Sequence, residues 1–400
     1  MSGSSVLASA PDDRRRGTRR LALGRYAGVV AGLLIFCVYL SVTQDVFLSV
    51  ENWQNIFRSN AVVLILALGM TFVVITAGID LSVASMTVAS GMIFGLSISH
   101  GGSWIVSVLA TVGFGLALGL ANGILIGVAR ISFFVVTLGT LSIYASIALL
   151  TTSGDTISLY DKESYATSAS LANGNVFGIP RALVLCGVLY AIGAAVLRYT
   201  RFGRSVYAVG SNPEAARLAG VKVVLVLVSV YAISGLCAGI GAVVQTGRLA
   251  AAAPQVDPTL MLTVVAAVLI GGTAYTGGEG GLLGTVIGVL FLGVVQNGLT
   301  LSSVSSFWQG TVSGLILIVA VGLGVLREHG WSLRNRLAAA AANDGESEQP
   351  GVATLTTAVY DDGDRQLRSE LDAARQRVVD LETAITRHEG GEGGGESRNR

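Results

Sequence analysis

The chain has 400 residues, of which 52% are hydrophobic and only 13% charged, against roughly 25% charged in soluble domains. This composition excludes a soluble globular protein and marks an integral membrane protein. The net charge of +1 hides a segregation: Arg14, Arg15, Arg16, Arg19, Arg20 and Arg25 all precede the first apolar run, so the positive-inside rule puts the N-terminus in the cytoplasm.

From that basic segment the chain enters residues 26–43, read as an uncleaved first span because the run is long for a signal peptide and no small-residue cleavage site follows. At about twenty apolar residues per spanning helix, the rest of the apolar sequence divides into segments near 60–77, 82–99, 104–129, 131–152, 181–198, 223–247, 259–275, 281–299 and 307–326. The predicted fold is therefore an all-α integral membrane protein of about ten transmembrane helices with both termini cytoplasmic. That alternation leaves Arg58, Lys162, Arg181 and Arg248 outside and collects Arg130, Arg198, Arg201, Arg204, Arg217, Lys222 and Arg327 inside.

Gly115, Gly119, Gly123 and Gly127 recur every fourth residue, a ladder that predicts close backbone contact with another helix. Gly91/Gly95, Gly235/Gly239, Gly284/Gly288 and Gly310/Gly314 repeat the spacing as single pairs. Between residues 153 and 180 the chain turns polar, and the alternation places this stretch outside as the largest external surface.

Residues 199–222 read as a cytoplasmic insert containing a short helix of about two turns. Asn212 suits its N-cap, Pro213 the first position and Glu214 the positive end of the dipole, while Gly220 can close its C-terminus. Glu214 and Arg217 stand at i,i+3, and Ala215, Ala216, Leu218 and Ala219 leave a small, smooth surface that another protein could grip. The alternative is an ordinary charged loop.

The domain layout that follows is a basic segment over 1–25, a transmembrane domain over 26–327, a disordered cytoplasmic linker over 328–364, a short helical tail over 365–389 and a disordered end over 390–400. In the tail Leu367, Leu371, Ala374, Val378, Leu381 and Ile385 follow the 4-3-4-3-4 spacing of a short coiled-coil seam.

Catalytic chemistry is not suggested. Cys37, Cys186 and Cys237 are odd in number and lie in apolar segments, and His100, His329 and His388 are scattered, so no disulfide framework or metal site is implied. Lysine occurs only at Lys162 and Lys222, neither in a GxxxxGK[ST] setting, so any ATP must be handled by a partner. The polar residues that merit notice lie inside apolar stretches. Asp80, in TAGIDLSVAS, must face water, a helix terminus or a polar partner. It reads either as an N-cap of the third span, with Ser82 helping, or as part of a solute pathway. Asn122, Gln245, Gln296 and Asn297 could bond a hydroxylated solute or tie helices together, and Phe133 could stack on a sugar face.

GMTFVVITAGIDLSVASMTVASG (69–91), ANGILIG (121–127), FFVVTLGTLSI (133–143), RFGRSVYAVGSNPEAARLAGV (201–221), VVAAVLIGGTAYTGG (264–278) and VQNGLTLSSVSSFWQG (295–310) occur in this order. Together they resemble the permease subunit of bacterial ABC importers of the ribose/monosaccharide type, related more distantly to branched-chain amino-acid permeases. The resemblance implies a multi-pass protein of the bacterial inner membrane, paired with a second permease subunit as a homodimer. Two cytoplasmic ATP-binding subunits and an extracytoplasmic solute-binding protein complete the implied assembly, which moves a small polar solute such as a monosaccharide through the lipid bilayer. No cofactor or nucleic acid is implied. It also makes residues 212–220 the coupling helix that docks into the ATPase. Two departures stand out: LMLTVVAA (260–267) replaces an acidic YELDAIAA-like stretch, and Ser132 replaces a common proline. A secondary transporter and a membrane scaffold working through its tail are the competing readings.

Overall fold

The computed structural model describes residues 13–162 and 165–305 with scattered positions between 308 and 322, and side chains from residue 27 onward. The chain order begins with α1 (Asp13–Thr43), α2 (Val50–Ile75), α3 (Val83–Ser99), α4 (Trp104–Gly127) and α5 (Phe133–Leu150). After β1 (Ile157–Ser158) come α6 (Tyr165–Asn173), β2 (Asn175–Val176), β3 (Ile179–Pro180), α7 (Arg181–Tyr199), α8 (Arg201–Ser211) and α9 (Pro213–Leu218). The last described elements are α10 (Val223–Leu249), β4 (Ala251–Ala252), α11 (Pro258–Ile270) and α12 (Leu282–Leu301). The strands are stitches between loops: β1 pairs antiparallel with β4, and β2 with β3.

Among the described residues six helices, α2, α4, α5, α7, α10 and α12, are long and apolar enough to cross a membrane. The apolar part of α1 (Ala27–Thr43), α3 and α11 are shorter apolar helices. The predicted segments from 26–43 to 281–299 each fall on one of these helices. The segment at 307–326 and the heptad seam lie largely or wholly outside the described residues.

One boundary differs. α2 starts at Val50, because Ser49 accepts the Asn52 amide N–H at 3.2 Å and Glu51 occupies the positive first turn. That polar first turn was invisible to an apolar-run criterion. Two helices were missed outright. α6 lies in the polar stretch over 153–180 with a composition (YATSASLAN) that has no helical periodicity. α8 lies in the insert between spans, where only the shorter α9 had been expected.

α10 is the axis of the bundle and packs against α4, α2, α3 and α6. Every residue of 60–75 in α2 is buried, which is what a helix apolar on all faces requires. The glycine ladder accounts for the closest contact. A Cβ on Gly115 would stand 2.9 Å from the Cα of Gly239, one on Gly119 2.8 Å from the Cα of Gly235, and one on Gly123 2.8 Å from the Cα of Val228. α4 and α10 therefore touch backbone to backbone over several turns. Gly284 and Gly288 on α12 play the same part against Gly271 and Ala267. The expectation does not extend to Gly314, which has no described neighbour within 4 Å.

Leucine at Gly119 should cost about 1–3 kcal/mol of stability or more and shift the protein out of its monodisperse peak in detergent. Leucine at Gly113, on the same helix but with nothing within 4 Å, should leave thermal unfolding unchanged. Equal melting of the two variants would show that the ladder does not hold α4 to α10.

Candidate functional site

At one end of the bundle the chain leaves α7 and builds two abutting helices. Thr200 caps α8 by accepting the Gly203 N–H at 3.0 Å. Its buried face, Gly203, Val206, Val209 and Gly210, lies on the bundle. Gly210 must be glycine, since a Cβ there would run into the carbonyl of Ile75 at the end of α2. The same carbonyl accepts the Gly278 N–H at 2.8 Å, and the Tyr207 hydroxyl donates to the Gly280 carbonyl at 3.0 Å. α8 is thus fixed to the C-terminus of α2 and to the turn between α11 and α12.

Asn212 ends α8 and caps α9, its Oδ1 accepting the N–H groups of Glu214 and Ala215, each at 3.0 Å. Pro213 stands at the first position. The far end is closed by Gly220 in the left-handed region, φ 83°, with Gly220 N–H on Arg217 O and Val221 N–H on Ala216 O, both at 3.0 Å. Arg217 and Glu214 pair at 2.5 Å on the exposed surface of the helix. The hydrogen bonds from Arg217, and then its charge, hold the Glu214 carboxyl below its ordinary range and in return raise the guanidinium. Ala216 is turned inward, 5% exposed, so it anchors the helix and does not contribute to a gripping surface as its small size had suggested. The free face is Ala215, Arg217, Leu218 and Ala219, with Leu218 80% exposed.

A second site lies where α2 breaks before α3. Ala77 takes the left-handed region, φ 60°, and the chain turns through Gly78 and Asp80 to Ser82 at the N-cap of α3. Asp80 stands two residues ahead of that cap and is wholly buried. Its Oδ1 accepts the Ser82 N–H at 3.0 Å and the Ser82 hydroxyl at 2.6 Å, and its Oδ2 accepts the Ser234 hydroxyl of α10 at 2.8 Å. Asn122 of α4 donates from Nδ2 to Ser82 Oγ at 2.8 Å, and the Tyr144 hydroxyl of α5 lies 3.0 Å from Asn122 Oδ1. Ser82 and Ser234 donate to the carboxyl oxygens and Asn122 donates to Ser82, while the Tyr144 hydroxyl stands 3.0 Å from both Asn122 Oδ1 and the Leu118 carbonyl. Three donors and the start of α3 face the carboxyl group, so neither of its oxygens is buried without a partner. Tyr231 of α10 brings one more buried hydroxyl, which has no partner among the described residues. A Cβ on Gly78 would stand 2.7 Å from that oxygen.

The other residues singled out from sequence do not converge here. Asn297 forms a reciprocal amide pair with Asn52, at 3.1 and 2.8 Å, joining α12 to the start of α2. Gln245 and Gln296 are half-buried on α10 and α12, and the Gln245 Oε1 is buried without a described partner. Phe133 opens α5 and packs half-buried on the core. Sequence reading missed Ser234, Tyr144 and Tyr231, for single hydroxyls in apolar spans carry no pattern. It also missed the exposed side of α5, where Gly139, Ser142 and Ser146 lie one turn apart.

Comparison with known proteins adds an independent finding. The family model described as "Branched-chain amino acid transport system / permease component" matches residues 52–321. The ribose import permease protein RbsC of Bacillus subtilis (strain 168) is 35% identical over 295 residues, 74% of this chain and 91% of its own length. The L-arabinose ABC transporter permease protein AraH of Azospirillum brasilense is 33% identical over 320 residues, covering 80% and 93%. The D-allose transport system permease protein AlsC of Escherichia coli (strain K12) is 32% identical over 294 residues, covering 72% and 88%. No solved structure matches significantly.

Replacing Asp80 by alanine strands three buried donors and should cost about 1–3 kcal/mol or more, read as a fall in the melting temperature of the purified protein. Asp80→Asn should cost clearly less, because one oxygen still accepts from Ser82 and the Ser234 hydroxyl can turn to accept from the new amide. Equal destabilisation by the two would show that the charge itself, rather than the acceptor geometry, holds the turn.

Proposed function

Because the chain belongs to the family of branched-chain amino acid transport system permease components, we propose that it is the membrane-spanning subunit of an ATP-driven importer of a monosaccharide, ribose or a closely related sugar. It is a multi-pass protein of the bacterial cytoplasmic membrane and not an enzyme; ATP hydrolysis belongs to a partner subunit. The names of its relatives, permease proteins for ribose, L-arabinose and D-allose, support the sugar class. The working assembly pairs two copies of this chain with two ATP-binding subunits and receives solute from an extracytoplasmic binding protein. Each copy has ten spans with both termini in the cytoplasm.

The observation that carries this reading is α9: a helix capped at both ends, seated on the bundle through Ala216 and α8, with an outer face that nothing in the described chain covers. Such a rigid, exposed end suits a part that takes up motion from another protein. The ATPase grips Leu218, Ala215 and Arg217, while Asn212, Pro213, Glu214, Ala219 and Gly220 hold the helix in shape.

Asp80 and Asn122, engaged inside one copy, serve as ties between helices. The solute path runs between two copies along the exposed side of α5, past Ser142 and Ser146, with Phe133 at its cytoplasmic mouth. Asn297, Gln245 and Gln296 lie off that face.

Leu218→Asp should lower solute-stimulated ATP hydrolysis of the reconstituted transporter at least about tenfold, equivalent to about 1.4 kcal/mol of lost association, with the permease still folded. Wild-type turnover in that variant would remove α9 from the ATPase interface. For the path, Ser146→Cys should react in membranes with a water-soluble thiol reagent and solute should protect it, whereas Val188→Cys, exposed on α7, should not react. Labelling at Val188 alone would put the path elsewhere.

A further inference from the structure

The end of the bundle opposite α9 holds a cavity that none of these functions uses. It is an open groove of about 440 Å³ lined by Trp104, Ala166, Thr167, Ser170, Leu171 and Arg181. Trp104 is the first residue of α4 and Arg181 the first of α7, so the cavity lies at the level where two spans enter the bilayer. α6 forms its wall. Ser168 of α6 accepts the Trp104 indole N–H at 2.8 Å, which fixes the ring, and the Arg181 guanidinium donates to Ser170. Arg181 meets no carboxylate among the described residues. From the cavity both spans present exposed apolar side chains along their length, Ile105 and Leu109 on α4 and Val184, Val188 and Ile192 on α7.

We propose that this cavity binds the headgroup of an anionic phospholipid, with its phosphate on Arg181 and the hydroxyls of Thr167 and Ser170. A guanidinium at the interface, half-committed to one hydroxyl, retains a fork of donors matched to phosphate oxygens. A single guanidinium matches a single phosphate, and a tryptophan at the same level is the usual interfacial anchor. The apolar faces leading away from the cavity decide between a lipid and a free anion, because acyl chains cover them and a soluble phosphate would leave them bare. Bound there, the lipid joins α6 to α7 and holds the external helix on the bundle. This assignment depends on the chain spanning a bilayer and is independent of which solute is carried.

The test uses the full transporter, stripped of lipid in detergent and titrated with phosphatidylglycerol or phosphatidylcholine, with bound lipid counted by native mass spectrometry. One phosphatidylglycerol per permease chain should be held in preference to phosphatidylcholine. Arg181→Gln should weaken it at least about tenfold, the worth of a charge-assisted phosphate contact. Arg198→Gln, at the other end of α7, should not change it. Thr167→Leu, which removes a phosphate-binding hydroxyl and puts a branched apolar group in its place without touching the charge, should also weaken lipid binding and decides the matter if Arg181→Gln does not fold. Wild-type retention in folded Arg181→Gln or Thr167→Leu overturns the proposal. So does competition by glycerol phosphate at concentrations comparable to the lipid, which would make the cavity a site for a soluble anion.

Discussion

The arrangement depends on the need to satisfy backbone and side-chain polarity where α2 breaks before α3. A chain that leaves helical geometry among apolar spans loses hydrogen bonds that hydrocarbon cannot replace, so the break must be enclosed by protein. Here the enclosure is α10. Gly69 on α2 lets it approach until a Cβ would stand 2.9 Å from the Cα of Ser234, and this close passage brings the Ser234 hydroxyl to Asp80. The ladder on α4 brings Asn122 to the same turn from the other side. Small residues and buried polar residues are thus one device, since the Ser234 hydroxyl reaches Asp80 and the Asn122 amide reaches Ser82 only because the backbones touch.

Much of this was legible in the sequence. Long apolar runs, the four-step glycine spacing and the Asn-Pro-Glu start of α9 each have a local cause that survives assembly. Asp80 could be recognised as a carboxylate needing partners, but its partners could not be named. Ser234 is 154 residues away, and neither it nor Tyr144 belongs to a periodic pattern. α6 and α8 were lost for a different reason: both are short and rest on what they pack against, Gly247 under Ser168 and Ile75 under Gly210. Ala216 was misjudged because smallness suits an inward face as well as an outward one.

The departures noted in the sequence also find their place. Thr263, in the stretch where many sugar permeases are acidic, is buried in α11, and Met261 is half-buried against the core. Uncharged residues there avoid the cost of a desolvated carboxylate. Ser132 occupies the N-cap of α5 without making a side-chain cap bond, φ −53° and ψ 135°. A proline fits that backbone, so serine holds the entry to α5 in a conformation that proline would also adopt.

The two-residue pairing of β1 with β4 has a mechanical consequence. Ile157 and Ser158 are laced to Ala252 and Ala251, and the Leu159 N–H bonds the Ala250 carbonyl at 2.9 Å, where Ala250 takes the left-handed region, φ 57°. The lacing closes a circuit through α6, α7, α8, α9 and α10. The strand after α5 therefore cannot swing away from the end of α10 without unzipping it. A displacement that enters the circuit at α9 has two routes to the far end, one along α10 and one back through α7 and α6, and they meet again at this stitch.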